Sequence, residues 1–253
     1  MAQSVVITGG ASGIGWVMAQ RFAALGHQLA ICDADAAAVA QAKQVLPQAL
    51  IEQVDVRDQV AMDGFFDAID HRFGAIDVAI SNAGTGGPAG PMDQLDYHEW
   101  ADCVSVNLHG AFLCCRNAAR RMRAQGQGSI IVMSSTSGLW GVPNRSPYVA
   151  AKWGLIGLVK TLAMELGPQG IRVNAICPGA VAGPRMERVL SIESAAAGVS
   201  IDDIRATYTD GVSMKRFVTA DEIADMAVFL ASDAARSVSG QVIAVDGNTE
   251  RMV

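Results

Sequence analysis

Short, almost wholly apolar runs recur along this chain, separated by longer stretches in which apolar residues return every three or four positions. The runs Val5–Thr8, Gln28–Cys32, Ala49–Val54, Val78–Ser81, Ile130–Met133, Arg172–Ile176 and Val242–Val245 predict strands. The stretches near Ile14–Leu25, Asp35–Leu46, Val60–Phe73, Trp100–Ala124, Tyr148–Leu166 and Ala220–Leu230 predict helices. Strands apolar on both sides of the pleat cannot face water, and strands that alternate with helices build crossover units. The expectation is an α/β protein with a doubly wound parallel sheet of about seven strands and helices on both faces. No linker, composition shift or internal repeat divides it, so residues 1–253 read as one domain.

Composition narrows the function classes. Hydrophobic residues make up 51% of the chain and the net charge is −6, which supplies a large core and argues against nucleic acid as the main partner. No apolar run reaches the roughly 18 residues of a membrane span. The chain enters its first strand within a few residues of Met1, without a basic segment or cleavage site, so nothing suggests secretion. Cys32, Cys103, Cys114, Cys115 and Cys177 form no CxxC and have no histidines at ligand spacing. Their apolar neighbours suit reduced thiols in a cytoplasmic protein without a metal site.

Candidate chemistry lies where strands end. The first strand runs into Thr8-Gly9-Gly10-Ala11-Ser12-Gly13-Ile14-Gly15, where glycines would let the backbone approach a pyrophosphate at a helix N-terminus. A plain tight connection is the competing reading. Asp33 ends the second strand, where a carboxylate can accept both ribose hydroxyls of an adenosine and would repel a 2′-phosphate. It reads equally as a cap for the helix after it, a role it could divide with Asp35. Asp55-Val56 and Asn82-Ala83-Gly84 end the next two strands and border the same crevice. After Ile130–Met133 comes Ser135, and then Tyr148 and Lys152, spaced to share one helical face. A hydroxyl, a phenol and an ammonium so delivered can converge on one substrate atom, although a Tyr/Lys pair at a helix start also occurs as surface decoration.

Taken in order, TGxxxGxG at Thr8–Gly15, Asp55-Val56, Asn82-Ala83-Gly84, Asn107 in Val-Asn-Leu, Ser135, Tyr148-x-x-x-Lys152 and Pro178-Gly179 resemble the short-chain dehydrogenase/reductase family over nearly the full length. The loosely matched branch is that of 3-oxoacyl reductases and polyol or sugar dehydrogenases. The resemblance implies a Rossmann-type fold and a catalytic tetrad of Asn107, Ser135, Tyr148 and Lys152. In that tetrad Tyr148 is the general base or acid, Ser135 binds the substrate oxygen, Lys152 holds the nicotinamide ribose, and Asn107 holds a water that relays protons from Lys152. It also implies a nicotinamide cofactor bound by Gly9, Ser12, Gly13, Ile14, Gly15, Asp33, Asp55, Val56, Asn82, Ala83, Gly84, Tyr148, Lys152, Pro178, Gly179 and Val181. Asp33, with no Arg or Lys beside it, favours NAD over NADP.

The expected activity is NAD-dependent hydride transfer between a secondary alcohol and its ketone. An NADP-dependent keto or acyl reductase and a non-catalytic nucleotide-binding protein are the alternatives. The resemblance further implies a substrate lid at about 180–215 and a homotetramer. Long helices that are apolar on more than one face agree with the assembly. Arg145, Arg185 and Arg188 either meet an anionic substrate group or are solvated surface charges, and Trp140 and Val142 are candidate pocket walls. Two departures from the family pattern stand out. Gly183 replaces a threonine that contacts the nicotinamide carboxamide, and Asn248 replaces a glycine near the C-terminus.

Overall fold

The computed structural model describes residues 2–250. All seven expected strands form: β1 (Ser4–Thr8), β2 (Gln28–Asp33), β3 (Leu50–Gln53), β4 (Val78–Ser81), β5 (Gly128–Met133), β6 (Ile171–Pro178) and β7 (Val242–Val245). They make one sheet in the order β3-β2-β1-β4-β5-β6-β7, and every pairing is parallel. Because side chains alternate across a pleat, consecutive apolar residues serve opposite cores. Val6, Ala30, Ala79, Ile130 and Val132 face one core, while Val5, Ile7, Leu29, Ile31, Val78, Ile80 and Ile131 face the other.

The first core is closed by α3 (Gln59–Phe73), α5 (Gly110–Gln125) and α6 (Ser146–Leu166), through Phe65, Phe66, Leu113, Met122, Leu155 and Val159. The second is closed by α1 (Gly13–Ala24), α2 (Ala36–Val45) and α9 (Ala220–Ala231), through Met18, Phe22, Val39, Ile223 and Leu230. Helix starts follow the sequence chemistry. Asp35, Asp58 and Asp96 each accept two backbone N–H groups, at the starts of α2, α3 and α4 (Tyr97–Val104), and Thr219 forms a capping box with Glu222.

The stretch Trp100–Ala124, expected as one helix, runs through α4, a π-helical turn at Ser105–His109 and α5. Periodicity did not reveal the turn, because the apolar pattern continues across it. Between β6 and α9 the chain forms α7 (Pro184–Ala197) and α8 (Ile201–Asp210). This excursion leaves and returns at one place: Val181 pairs with Val218, Ala182 N–H donates to Val218 O at 2.8 Å, and Val218 N–H donates to Ala180 O at 3.0 Å. Glu187 and Arg205 tie its two helices together. Among the described residues no helix is long and apolar enough to cross a membrane.

Candidate active site

The strand order changes direction between β1 and β4, and the carboxyl ends of these strands open a crevice of the kind in which doubly wound sheets bind ligands. On one wall lies the glycine turn. Gly9 has φ +59°, and a Cβ there would come within 2.8 Å of Ala83 Cα. A Cβ on Gly15 would lie 2.1 Å from Gly9 O. Those two glycines are required by packing. Gly13 (φ +54°) differs, since a Cβ there would meet nothing within 4 Å, so its surroundings are open. It is the first residue of α1, which has no acidic residue in its first turn and no side-chain hydrogen bond from its N-cap, Ser12. Free N–H groups, positive helix dipole and open space form a cradle suited to a pyrophosphate.

Asn82 holds this turn in shape. Its Nδ2 donates to Thr8 O at 3.0 Å and Gly9 O at 2.8 Å, while the N–H groups of Asn82 and Ala83 donate to Thr8 Oγ1. Its amide is therefore committed to the protein backbone. Asp33 ends β2 beside the turn and accepts from Ala11 N–H and Asp35 N–H, both at 3.1 Å. Asp35, not Asp33, takes the cap of α2. No Lys or Arg pairs with Asp33 among the described residues. Asp55 is gripped by Arg57, whose hydrogen bonds hold its carboxyl below the usual range, and Arg57 also reaches Asp102 of α4. Val56 is buried against Gly110, where a Cβ would clash with Val56 Cγ2 at 2.6 Å.

Asn107, Tyr148 and Lys152 lie together, and Ser135 stands two residues beyond the end of β5. Lys152 is only 4% exposed, and its Nζ donates to Met133 O, at the end of β5, at 2.9 Å. Burial pulls the pKa of its ammonium below the ordinary lysine value, with the Tyr148 phenol opposing and Arg185 adding to the fall. Lys152 Nζ lies 5.5 Å from the centroid of the Tyr148 ring. Ser135 Oγ accepts Ser137 N–H at 3.1 Å, leaving its own proton to donate. The turn after Ser135 is pressed onto α6: Ser134 Oγ donates to Lys152 O at 2.9 Å, and a Cβ on Gly138 would lie 2.9 Å from that same carbonyl.

Asn107 sits in the π-helical turn and is buried. Its Nδ2 donates to Thr85 O and Cys103 O, both at 2.9 Å, while its Oδ1 has no partner among the described residues. A Cβ on Gly84 would lie 2.7 Å from Asn107 Oδ1 and 3.5 Å from Lys152 Nζ, so these two polar atoms flank one small space. A buried orphan acceptor beside a buried ammonium is suited to hold a water.

Pro178 ends β6, Gly179 N–H donates to Val245 O at 3.0 Å, and Val181 stands at the stem of the α7–α8 excursion. Both departures from the family pattern have backbone causes. Gly183 has φ +143°, which a threonine would not adopt without strain, and it hands over to Pro184 at the first position of α7. Asn248 has φ +64°, a left-handed conformation that asparagine tolerates, and its Nδ2 donates to Ser213 Oγ at 2.6 Å.

Sequence reasoning missed two features of the crevice. One is the anchoring of the glycine turn by Asn82. The other is the approach of Arg145 and Arg185, far apart in sequence, to the same glycine, Gly86. Asn82 had a readable signal, a polar residue closing an apolar strand; Arg145 and Arg185 were candidates singly, but their convergence had no signal, because it depends on how the α7 segment folds back.

Residues 9–248 match the family described as enoyl-(acyl carrier protein) reductase. The chain is 37% identical over 245 residues to cis-4-hydroxycyclohexanecarboxylate dehydrogenase of Sinomonas cyclohexanicum, covering 96% of this chain and 94% of that one. Among solved structures it resembles NAD+-bound xylitol dehydrogenase, with a TM-score of 0.92, 28% identity and coverage of 97% and 98% of the two chains. It also resembles an actinorhodin polyketide ketoreductase with NADPH, with a TM-score of 0.93, 30% identity and coverage of 99% and 98%.

Proposed function

Because the chain belongs to the short-chain dehydrogenase/reductase family of oxidoreductases, we propose that it is an NAD-dependent enzyme interconverting a secondary alcohol and its ketone, with Tyr148 as the general base and acid. The observation that carries this reading is the grouping of Tyr148, Lys152 and the orphan Oδ1 of Asn107 at the carboxyl ends of β4 and β5.

A nicotinamide dinucleotide, when bound, supplies the hydride acceptor or donor. The chain's own residues do the rest. The Gly9–Gly15 turn and the N-terminus of α1 hold the pyrophosphate, and Asp33 receives the adenosine ribose hydroxyls. An isolated phenol, with a pKa near ~10, is a poor base at neutral pH. Lys152 Nζ lies 5.5 Å from the centroid of the Tyr148 ring, so the phenol that exchanges the alcohol proton has a cation beside it. Ser135, already accepting from Ser137 N–H, donates its O–H to the substrate oxygen and fixes its position. A water between Asn107 Oδ1 and Lys152 Nζ would carry the proton onward.

The carboxylate at Asp33, unpaired with any cation among the described residues, supports NAD as the cofactor, since a 2′-phosphate there would meet like charge. The α7–α8 excursion, closed at its stem by Val181 and Val218, is the substrate lid. Phe112 of α5 and Trp153 and Met164 of α6 are exposed, and a groove with Leu158 and Leu162 runs between these helices. These apolar faces support a homotetramer, and light scattering returning a monomer mass would defeat that assembly.

The deciding experiment is a screen of alcohols, polyols and hydroxy acids, following NADH absorbance. Tyr148→Phe should lower kcat roughly 10²–10⁴-fold while NADH binding, followed by fluorescence, persists. Wild-type turnover by that variant would remove the assigned mechanism.

A further inference from the structure

We propose that the crevice beside Tyr148 contains an oxyanion-binding subsite built from Arg145 and Arg185, so that the substrate is a secondary alcohol or ketone bearing a carboxylate or phosphate a few bonds from the reacting carbon. This rests on the oxidoreductase reading for the word substrate, but not for the site itself.

Arg145 immediately precedes α6, and Arg185 is the second residue of α7. The two come from separate elements yet converge on one point. A Cβ built on Gly86 would lie 3.2 Å from Arg145 Nη2 and 3.0 Å from Arg185 Nη2. The two nitrogens can be no further apart than the sum of those distances. Like charges this close repel, and a shared anion converts the repulsion into two charge-assisted hydrogen bonds.

Neither guanidinium has a carboxylate partner among the described residues. Arg21, Arg57, Arg116, Arg121, Arg205 and Arg216 do, while the other described arginines without one do not converge with a second guanidinium on one glycine. The two glutamates of α7 are engaged elsewhere: Glu187 holds Arg205 at 2.8 Å, and Glu193 accepts the Tyr208 hydroxyl at 2.8 Å. In a chain of net charge −6, two unpaired arginines pointing at one glycine are not explained by surface salt bridging.

Their position ties them to the chemistry. The Arg145 guanidinium carbon is 5.5 Å from the Tyr148 ring centroid, the same distance as Lys152 Nζ. Arg145 is also held by its backbone: Asn144 takes a left-handed φ of +61°, and its carbonyl accepts Gly90 N–H at 2.9 Å. The glycine-rich loop under the subsite is thereby tied to the residue next to Arg145. The planar forks of guanidinium groups suit oxyanions. The short reach from Arg145 to Tyr148 selects compact hydroxy acids or sugar phosphates over long acyl chains.

The test uses the full chain saturated with NADH and calorimetric titration with unreactive probes: isobutyrate, its neutral counterpart isobutyramide, and methyl phosphate. Isobutyrate or methyl phosphate should bind at least ~10-fold more tightly than the amide, and whichever anion binds identifies the group. Arg185→Gln should remove that preference, a loss of roughly 10–100-fold in anion affinity, and added salt should weaken wild-type binding. Arg145→Lys should retain more affinity than Arg145→Gln.

Equal affinity for amide and anions would overturn the proposal, as would anion binding unchanged in both glutamine variants. Arg185 is exposed, so its variant should fold. These titrations need no turnover. A protein that binds the anions yet oxidises no alcohol would count against the oxidoreductase reading alone.

Discussion

Replacing Lys152 by methionine should make the apoprotein more stable while disabling it. The ammonium is 4% exposed and makes one hydrogen bond, to Met133 O at 2.9 Å. That charge-assisted bond contributes about 1.5–3 kcal/mol, but desolvating a buried ion costs several kcal/mol, and exchanging buried charge for an apolar side chain is commonly stabilising by about 1–4 kcal/mol. The depressed pKa of Lys152, caused first by burial, gives the sign: in the folded chain the charged form is disfavoured. We expect Lys152→Met to gain about 1–2 kcal/mol at neutral pH, or roughly 2–8 °C in Tm for a chain of this size.

The pH dependence is a sharper check. Because the folded pKa lies below that of the unfolded chain, the unfolded state binds the proton more tightly between the two values, and wild-type stability rises with pH across that window. The full penalty stands below the folded pKa. The advantage of the methionine variant should therefore be greatest at neutral pH and shrink as pH climbs toward 10.5, the ordinary lysine value. Urea unfolding at fixed protomer concentration, at neutral pH and near ~10, measures both. A variant less stable than wild type at neutral pH, or a gap that widens with pH, would refute the reasoning. Alcohol oxidation should meanwhile fall at least ~10²-fold, because the Tyr148 phenolate loses its cation.

Asp33→Asn keeps an acceptor for Ala11 N–H but removes the charge, so the ratio of NADP to NAD affinity should rise about tenfold or more in fluorescence titrations; an unchanged ratio would mean that Asp33 does not face the ribose. Gly15→Ala drives a Cβ to 2.1 Å from Gly9 O and 2.5 Å from Asn82 Nδ2. It should cost at least about 1–3 kcal/mol in denaturant unfolding and abolish NADH binding, and retained binding would show that the turn can give way.

Most of the sheet was legible because each strand is a run buried on both faces, and such runs announce themselves wherever the helices between them are amphipathic. The crevice was legible for the same reason: Thr8–Gly15, Asp33, Asn82–Gly84 and Ser135 all stand where an apolar run stops. What could not be read depends on contacts between distant segments. Lys152 follows an ordinary helical spacing from Tyr148, and nothing in that spacing says that its ammonium is buried against Met133. The π-helical turn leaves the apolar rhythm of Trp100–Ala124 intact. Arg145 and Arg185 meet only because the chain after β6 folds back over Gly86.

That π-helical turn, Ser105–His109, constrains how the chain can vary. A π turn accommodates one residue more than an α-helix would in the same span, and each residue of an α-helix advances the azimuth by about 100°. Without the wider turn that extra residue would rotate everything beyond it by that angle and carry Leu113, Cys114 and Met122 off the sheet; the turn absorbs it, so α5 keeps its buried face while Asn107 is set against Gly84 and Lys152. Deleting one residue there would let the helix run regular with α4 and α5 still facing as they do, but would move Asn107 from that place. Loss of a single residue in this stretch should therefore spare the fold and disable the site.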